Sequence, residues 1–346
     1  MIAGRRKTSR TQRPSLDSLK DDELLDLRFC DLGVRIEGTW LQSMVDRLHR
    51  ELARRGLRVR PHAWLSTEWF TPDGVPGIAI PFYLAHPRLM RLERREMLDV
   101  EGGTRESCMR ILRHEAGHAI DNAYRLRRKR AWQKIFGRAS RPYPAFYRPN
   151  PFRRDFVLHL DWWYAQAHPA EDFAETFAVW LRPASRWKQR YRGWPALKKL
   201  QYVDRAMREL AGRAPPVRTR EQTEPLSQVR RTLRSHYRKK REAYGIDHPE
   251  PFDRYLLRLF GESGTRHGSA AALLTRMEPQ LLWTVAQWTG EHPYVVEQFL
   301  RAMIHQCRRL KLRVRRTERQ VRQEAAVLLT VQVMHYLERG GRRIAL

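Results

Sequence analysis

His114-Glu115-Ala116-Gly117-His118 is the stretch that decides how this chain is read. It lies inside residues 104–126, which read as one unbroken helix. Residues four apart project from one face of a helix, so the two imidazoles can converge on a single cation. Zn²⁺ suits that pair, because neutral imidazole nitrogen is one of its preferred ligands. Glu115 points slightly aside, where its carboxylate can hold a water beside the metal. This is the H-E-x-x-H arrangement of a zinc hydrolase, with the glutamate as general base. Gly117 is costly in a helix interior, which predicts close packing at that point. The competing reading is a coincidence on an amphipathic helix, and a third ligand has to decide between them.

That ligand is offered by residues 164–178, Tyr-Ala-Gln-Ala-His-Pro-Ala-Glu-Asp-Phe-Ala-Glu-Thr-Phe-Ala. Pro169 favours a helix start, which places Glu171, Asp172 and Glu175 in the first two turns. A catalytic zinc site takes three protein ligands and keeps one position open, and two histidines with a glutamate are a standard set. Glu171 is the expected ligand. Glu175, one turn on, can hydrogen-bond a ligating histidine and fix its tautomer; Asp172 and Asp121 are further candidates for such outer contacts. An acidic helix N-terminus complementing the macrodipole is the simpler account of Asp172. It does not explain Glu175, which sits so far along an apolar face.

The two motifs together, His114-Glu115-x-Gly117-His118 and Tyr164-Ala165-x-x-His168-Pro169-x-Glu171-Asp172-Phe173-Ala174-Glu175, resemble a bacterial family of zinc-binding metallopeptidases. They are similar, more distantly, to the catalytic domain of anthrax lethal factor and to gluzincin peptidases. The resemblance spans residues 60–182, about a third of the chain. It implies a zincin-like fold, with His114, His118 and Glu171 as zinc ligands and Glu115 as catalytic base. It also implies that Tyr164 assists the tetrahedral intermediate. One departure is that Ala119 and Ile120 follow the second histidine, where the family often has aromatic residues.

The expected activity is therefore zinc-dependent endopeptidase action on a protein or peptide substrate. His159 and His168 flank Tyr164 and are candidates for a substrate or oxyanion contact, beside a purely structural role. Two other readings stand. One is a nucleic-acid-associated protein with an inactive zincin fold; the other is a structural zinc site closed by a fourth ligand such as His168.

With 346 residues, 42% hydrophobic and eleven of them Trp, the chain can bury ample core, which argues against wholesale disorder. The charge is unusual: 67 basic against 38 acidic residues, a net +29. Nucleic acid or another polyanion is one partner class this balance suits. A diffusely basic, arginine-rich surface is the other account. Cys30, Cys108 and Cys307 are few, scattered and odd in number, which supports neither a disulfide framework nor a cysteine-based zinc site. No signal-peptide core and no membrane-spanning run are visible, so the expected location is cytoplasmic.

In chain order, residues 1–14 read as a basic, disordered tail and 15–212 as the metallopeptidase domain. Within it, Ser18 caps a short helix, residues 39–55 form a second ending at Gly56, and strands follow near 57–66 and 77–84. The fold class is α+β, with a small antiparallel or mixed sheet ahead of the active-site helix. His62 and His86 lie on these strands and read as packing residues. Residues 132–156, rich in Pro, Tyr and Arg, read as a structured loop over the cleft. A linker at 213–222 precedes an all-α basic region, 223–346. Helices are expected there over 251–260, 279–289, 293–310 and 317–339, the last with a Thr317-x-x-Gln320 capping box. The Arg308–Arg316 run lies at the region's centre; a basic helix can bind nucleic acid, but a solvated face is the more common outcome, and no nucleic-acid-binding signature stands out.

Overall fold

The computed structural model describes residues 15–144, 147, 150, 152–244, 253–261 and 268–338. The tail expected over 1–14 lies outside them, as do parts of the expected cleft loop. Helices α1 (Asp21–Asp26) and α2 (Trp40–Arg54) come first. α1 starts at a Lys20 cap, because the Glu23 carboxylate accepts the Lys20 N–H at 2.7 Å while the Ser18 hydroxyl donates to the Ser15 carbonyl. α2 starts as read: Thr39 caps it, Met44, Leu48 and Leu52 are buried, and Gly56 follows at φ 74°.

Strands β1 (His62–Ser66) and β2 (Gly77–Pro81) pair in parallel, His62 opposite Gly77, where an antiparallel or mixed sheet was expected. The reason lies in the connection and in the pattern. Residues 67–76 are too long for a tight hairpin, and they return so that Phe70 bridges Ala79 in antiparallel sense on the other side of β2. β2 is buried along its whole length, matching its continuous apolar sequence. His62 stacks on Trp64 and reaches the Glu221 carbonyl, and His86 caps helix α3 (Pro87–Met97); both are structural.

Next come α4 (Arg105–Tyr124), α5 (Arg130–Phe136), α6 (Pro169–Leu181), α7 (Trp187–Arg190), α8 (Ala196–Leu210) and α9 (Leu233–Tyr244). α4 is buried on nearly every side, so each polar group it carries inward needs a partner. Arg113 forms a two-pronged ion pair with Glu51 at 2.7 and 2.8 Å. Asn122 donates to the Pro72 and Val75 carbonyls. Gly117 explains how α6 comes so near: a Cβ there would lie 2.7 Å from Ala174 Cα. The close packing expected at this glycine is present, and its neighbour is the helix that bears Glu171.

A second core is built by α10 (Asp253–Leu259), α11 (Ala270–Thr289), α12 (Pro293–Arg309) and α13 (Glu318–Glu338). Thr317 and Gln320 form the expected capping box. α11 begins well before Pro279, at a Ser269 cap, because Leu273, Leu274 and Met277 already pack in the core. The basic run after Arg309 is not helical. Arg313 bridges Gly261 and Ser269, with Leu312 and Val314 turned inward. Leu226, Val229, Leu233 and Tyr237 pack in the first core. Among the described residues no helix is long and apolar enough to cross a membrane.

Candidate metal centre

α4 supplies His114 and His118 four residues apart, and the close α4–α6 approach brings Glu171 between them. Their facing atoms form a near-equilateral triangle. His114 Nε2 lies 3.2 Å from His118 Nε2, and Glu171 Oε2 lies 3.0 Å from the first and 3.2 Å from the second. Donors held about 2.0–2.1 Å from a tetrahedral zinc sit roughly 3.3 Å from one another, so this donor set fits. These three can hold a metal ion. Beside them Glu115 is buried, and its Oε2 has no hydrogen-bond partner among the described residues. A buried carboxylate oxygen without a partner is costly, and a bound water or cation relieves it.

Glu175 fixes the first histidine. His114 Nδ1 donates to Glu175 Oε1 at 2.8 Å, and Glu175 Oε2 accepts the Leu160 N–H at 2.8 Å. With one proton held on Nδ1 by Glu175, Nε2 would present a lone pair to an ion that displaced its own proton. Burial pulls the His114 pKa down, but its bonds to Glu171 and Glu175 outweigh this and hold it well above the usual value. Burial pushes Glu171 up, and the two histidines overcome it, leaving Glu171 well below the ordinary carboxylate range. A strongly bound positive charge is thus favoured between these groups.

Two tyrosines border the triangle. The Tyr164 ring lies 5.5 Å from the His114 ring, and burial, with the charges of Glu171 and Glu115, holds its phenol well above the usual value. It stays protonated and able to donate. Tyr143, which no spacing rule singled out, donates to Glu171 Oε1 at 2.7 Å. Its ring stacks on His168 at 3.8 Å. The only hint in the sequence was the aromatic, proline-rich composition between the two motifs.

Other expected site residues are directed elsewhere. His168 caps α6: its Nδ1 accepts the Ala170 N–H and its Nε2 meets the Arg141 carbonyl, so neither nitrogen is left to close the triangle. His159 Nε2 is bound to the Arg110 carbonyl at 2.9 Å, which gives it no oxyanion contact through that nitrogen. Asp121 serves Arg127, accepting from its backbone N–H and its guanidinium at the end of α4. Asp172 faces Lys199 at 2.7 Å, and burial still raises its pKa to about 7. Neither aspartate reaches a histidine of the triangle, because each lies on a side of its helix turned to another neighbour. No protein-family model, curated protein or solved structure shows a significant match to this chain.

Proposed function

We propose that this protein is a zinc-dependent endopeptidase. The observation that carries the reading is the convergence of two imidazole nitrogens and one carboxylate oxygen beside Glu115 Oε2, which has no partner among the described residues. His114, His118 and Glu171 would hold the ion. Bound there, zinc supplies a Lewis acid that polarises a carbonyl and acidifies water.

The remaining chemistry belongs to the chain. Glu115 Oε2 receives the proton of the attacking water and returns it to the leaving amine. Tyr164, kept protonated by its surroundings, donates to the oxygen of the attacked carbonyl. Glu175 holds the His114 ring in place, and Tyr143 engages Glu171 Oε1 so that Oε2 faces the triangle.

The test is Glu115→Gln, with zinc content and cleavage of an unfolded protein measured together. Zinc content should stay at one per chain while cleavage falls by about 10²-fold or more, since an amide cannot take the proton. Wild-type cleavage by the variant would overturn the reading.

A further inference from the structure

Arg110 stands on α4 one turn before His114, on the face that carries both imidazoles of the triangle. Its Nη2 donates to the His159 carbonyl and, at 3.0 Å, to Asp161 Oδ1. His159 returns the contact, because its Nε2 donates to the Arg110 carbonyl at 2.9 Å. In an α-helix the carbonyl of residue 110 also receives the N–H of residue 114, so His159 grips the backbone acceptor of His114. On either side of His159, the Leu158 N–H donates to the Tyr191 hydroxyl at 3.0 Å and the Leu160 N–H to Glu175 Oε2 at 2.8 Å. Residues 158–161 are thereby tied to α4, to α6 and to Tyr191 at consecutive positions.

The segment so tied leads directly to Tyr164. Asp161–Gln166 is a short 3-10 helix that carries this tyrosine. The Tyr164 ring lies 5.5 Å from the His114 ring and 6.3 Å from the Tyr147 ring, but its hydroxyl makes no hydrogen bond among the described residues. The residue before it, Trp163, has φ 51°, a left-handed conformation that is costly for a bulky side chain. Such a backbone persists only where its surroundings over-determine it. Downstream the fixed point is the His168 cap of α6; upstream it is the hold of Arg110 on residues 159 and 161.

We infer that Arg110 is a positioning residue for Tyr164: its guanidinium, holding His159 and Asp161, keeps the phenol in register with the metal triangle. The use of the phenol in cleavage rests on the endopeptidase reading; its placement does not. A surface ion pair is the simpler account of Arg110 with Asp161, and such pairs add little stability. It leaves the reciprocal bonds between Arg110 and His159 unexplained.

The test compares Arg110→Met with the unaltered full chain, both zinc-loaded. Each carries fluorotyrosine at Tyr164 or, as a control, at Tyr202, which is buried on α8 against Phe136. Fluorine NMR should show the signal at Tyr164 shifted or broadened by Arg110→Met, with the signal at Tyr202 and the zinc affinity unchanged. In unlabelled protein, kcat for cleavage of an unfolded protein should fall about 10-fold at constant KM, less than the loss expected for removing the hydroxyl itself. Added to Tyr164→Phe, Arg110→Met should cost nothing further. Asp161→Asn, at an exposed carboxylate, should give a smaller effect of the same kind and decides the matter should Arg110→Met not fold. An unmoved signal at Tyr164 overturns the inference, as does an equal kinetic loss with and without the phenol hydroxyl. An unaltered protein that cleaves nothing sinks the endopeptidase reading alone, and the signal at Tyr164 still decides this inference.

Discussion

His114 and Glu175 are joined nitrogen to oxygen at 2.8 Å, and the second oxygen of Glu175 is taken by the Leu160 N–H. Both oxygens of Glu175 are therefore committed, whereas Glu171 turns one oxygen to both histidines. The two glutamates, one turn apart on α6, differ in what they can offer a metal.

Their variants should differ accordingly. Glu171→Gln should lose zinc to a mild chelator, whereas Glu175→Gln should bind it about 10–100-fold less tightly, the usual cost of losing an outer contact. Competition titrations with a fluorescent zinc indicator measure both. The reverse order would move the ligand to Glu175.

Gly117→Ala separates packing from helix propensity. Alanine is favoured over glycine by about 1 kcal/mol in an exposed helix, so an open site would gain stability. Here the added Cβ would meet the backbone of Ala174 at 2.7 Å. The expected outcome is a loss of about 1–3 kcal/mol in urea unfolding, with weaker zinc binding as Glu171 is pushed away. A stabilised variant would show that the helices do not touch there.

The two phenols have different tasks. Tyr164→Phe should keep zinc and slow cleavage by about 10²-fold, the scale for one oxyanion donor. Tyr143→Phe should instead loosen zinc by about 10-fold, the low end for an outer contact, because Tyr143 is 48% exposed and water can replace its hydroxyl. Steady-state kinetics and chelator competition on both proteins check this. Exchanged effects would reverse the two roles.

How much of this was legible in the chain depends on distance along it. The histidine pair and its base are set by helical spacing alone, and Pro169 fixed where α6 starts, so these groups could be read from residues. The Gly117 contact was foreseeable because a helical glycine has few other uses. Tyr143 was not, since its bond to Glu171 crosses a loop with no period. Asp121 and Asp172 were further candidates for outer contacts; only the tertiary neighbours Arg127 and Lys199 decide where each carboxylate goes. The parallel pairing of β1 with β2 likewise depends on how residues 67–76 return, which local pattern does not encode.

A pH effect on stability should arise far from the metal. His236 is buried among Phe29, Phe82 and Tyr237, with Lys240 and Arg231 near and the Glu68 carboxylate 3.6 Å from its Nε2. Burial first, then the two cations, lowers its pKa to about 3. A histidine held neutral in the fold contributes stability above its unfolded pKa of about 6.5 and loses it as pH falls toward 3. Between pH 7 and pH 5 this one group should cost about 2 kcal/mol. His236→Phe should remove that share of the pH dependence in urea unfolding. An unchanged slope would mean the ring protonates freely in the folded protein.

The central claim is that His114, His118 and Glu171 bind one zinc and leave a position open on the Glu115 side. Anomalous diffraction at the zinc edge from crystals of the zinc-loaded protein tests it most directly. The expected result is one peak about 2.0–2.2 Å from His114 Nε2, His118 Nε2 and Glu171 Oε2, with the fourth position filled by solvent near Glu115. A fourth protein ligand in that position, or zinc bound away from the triangle, would contradict it.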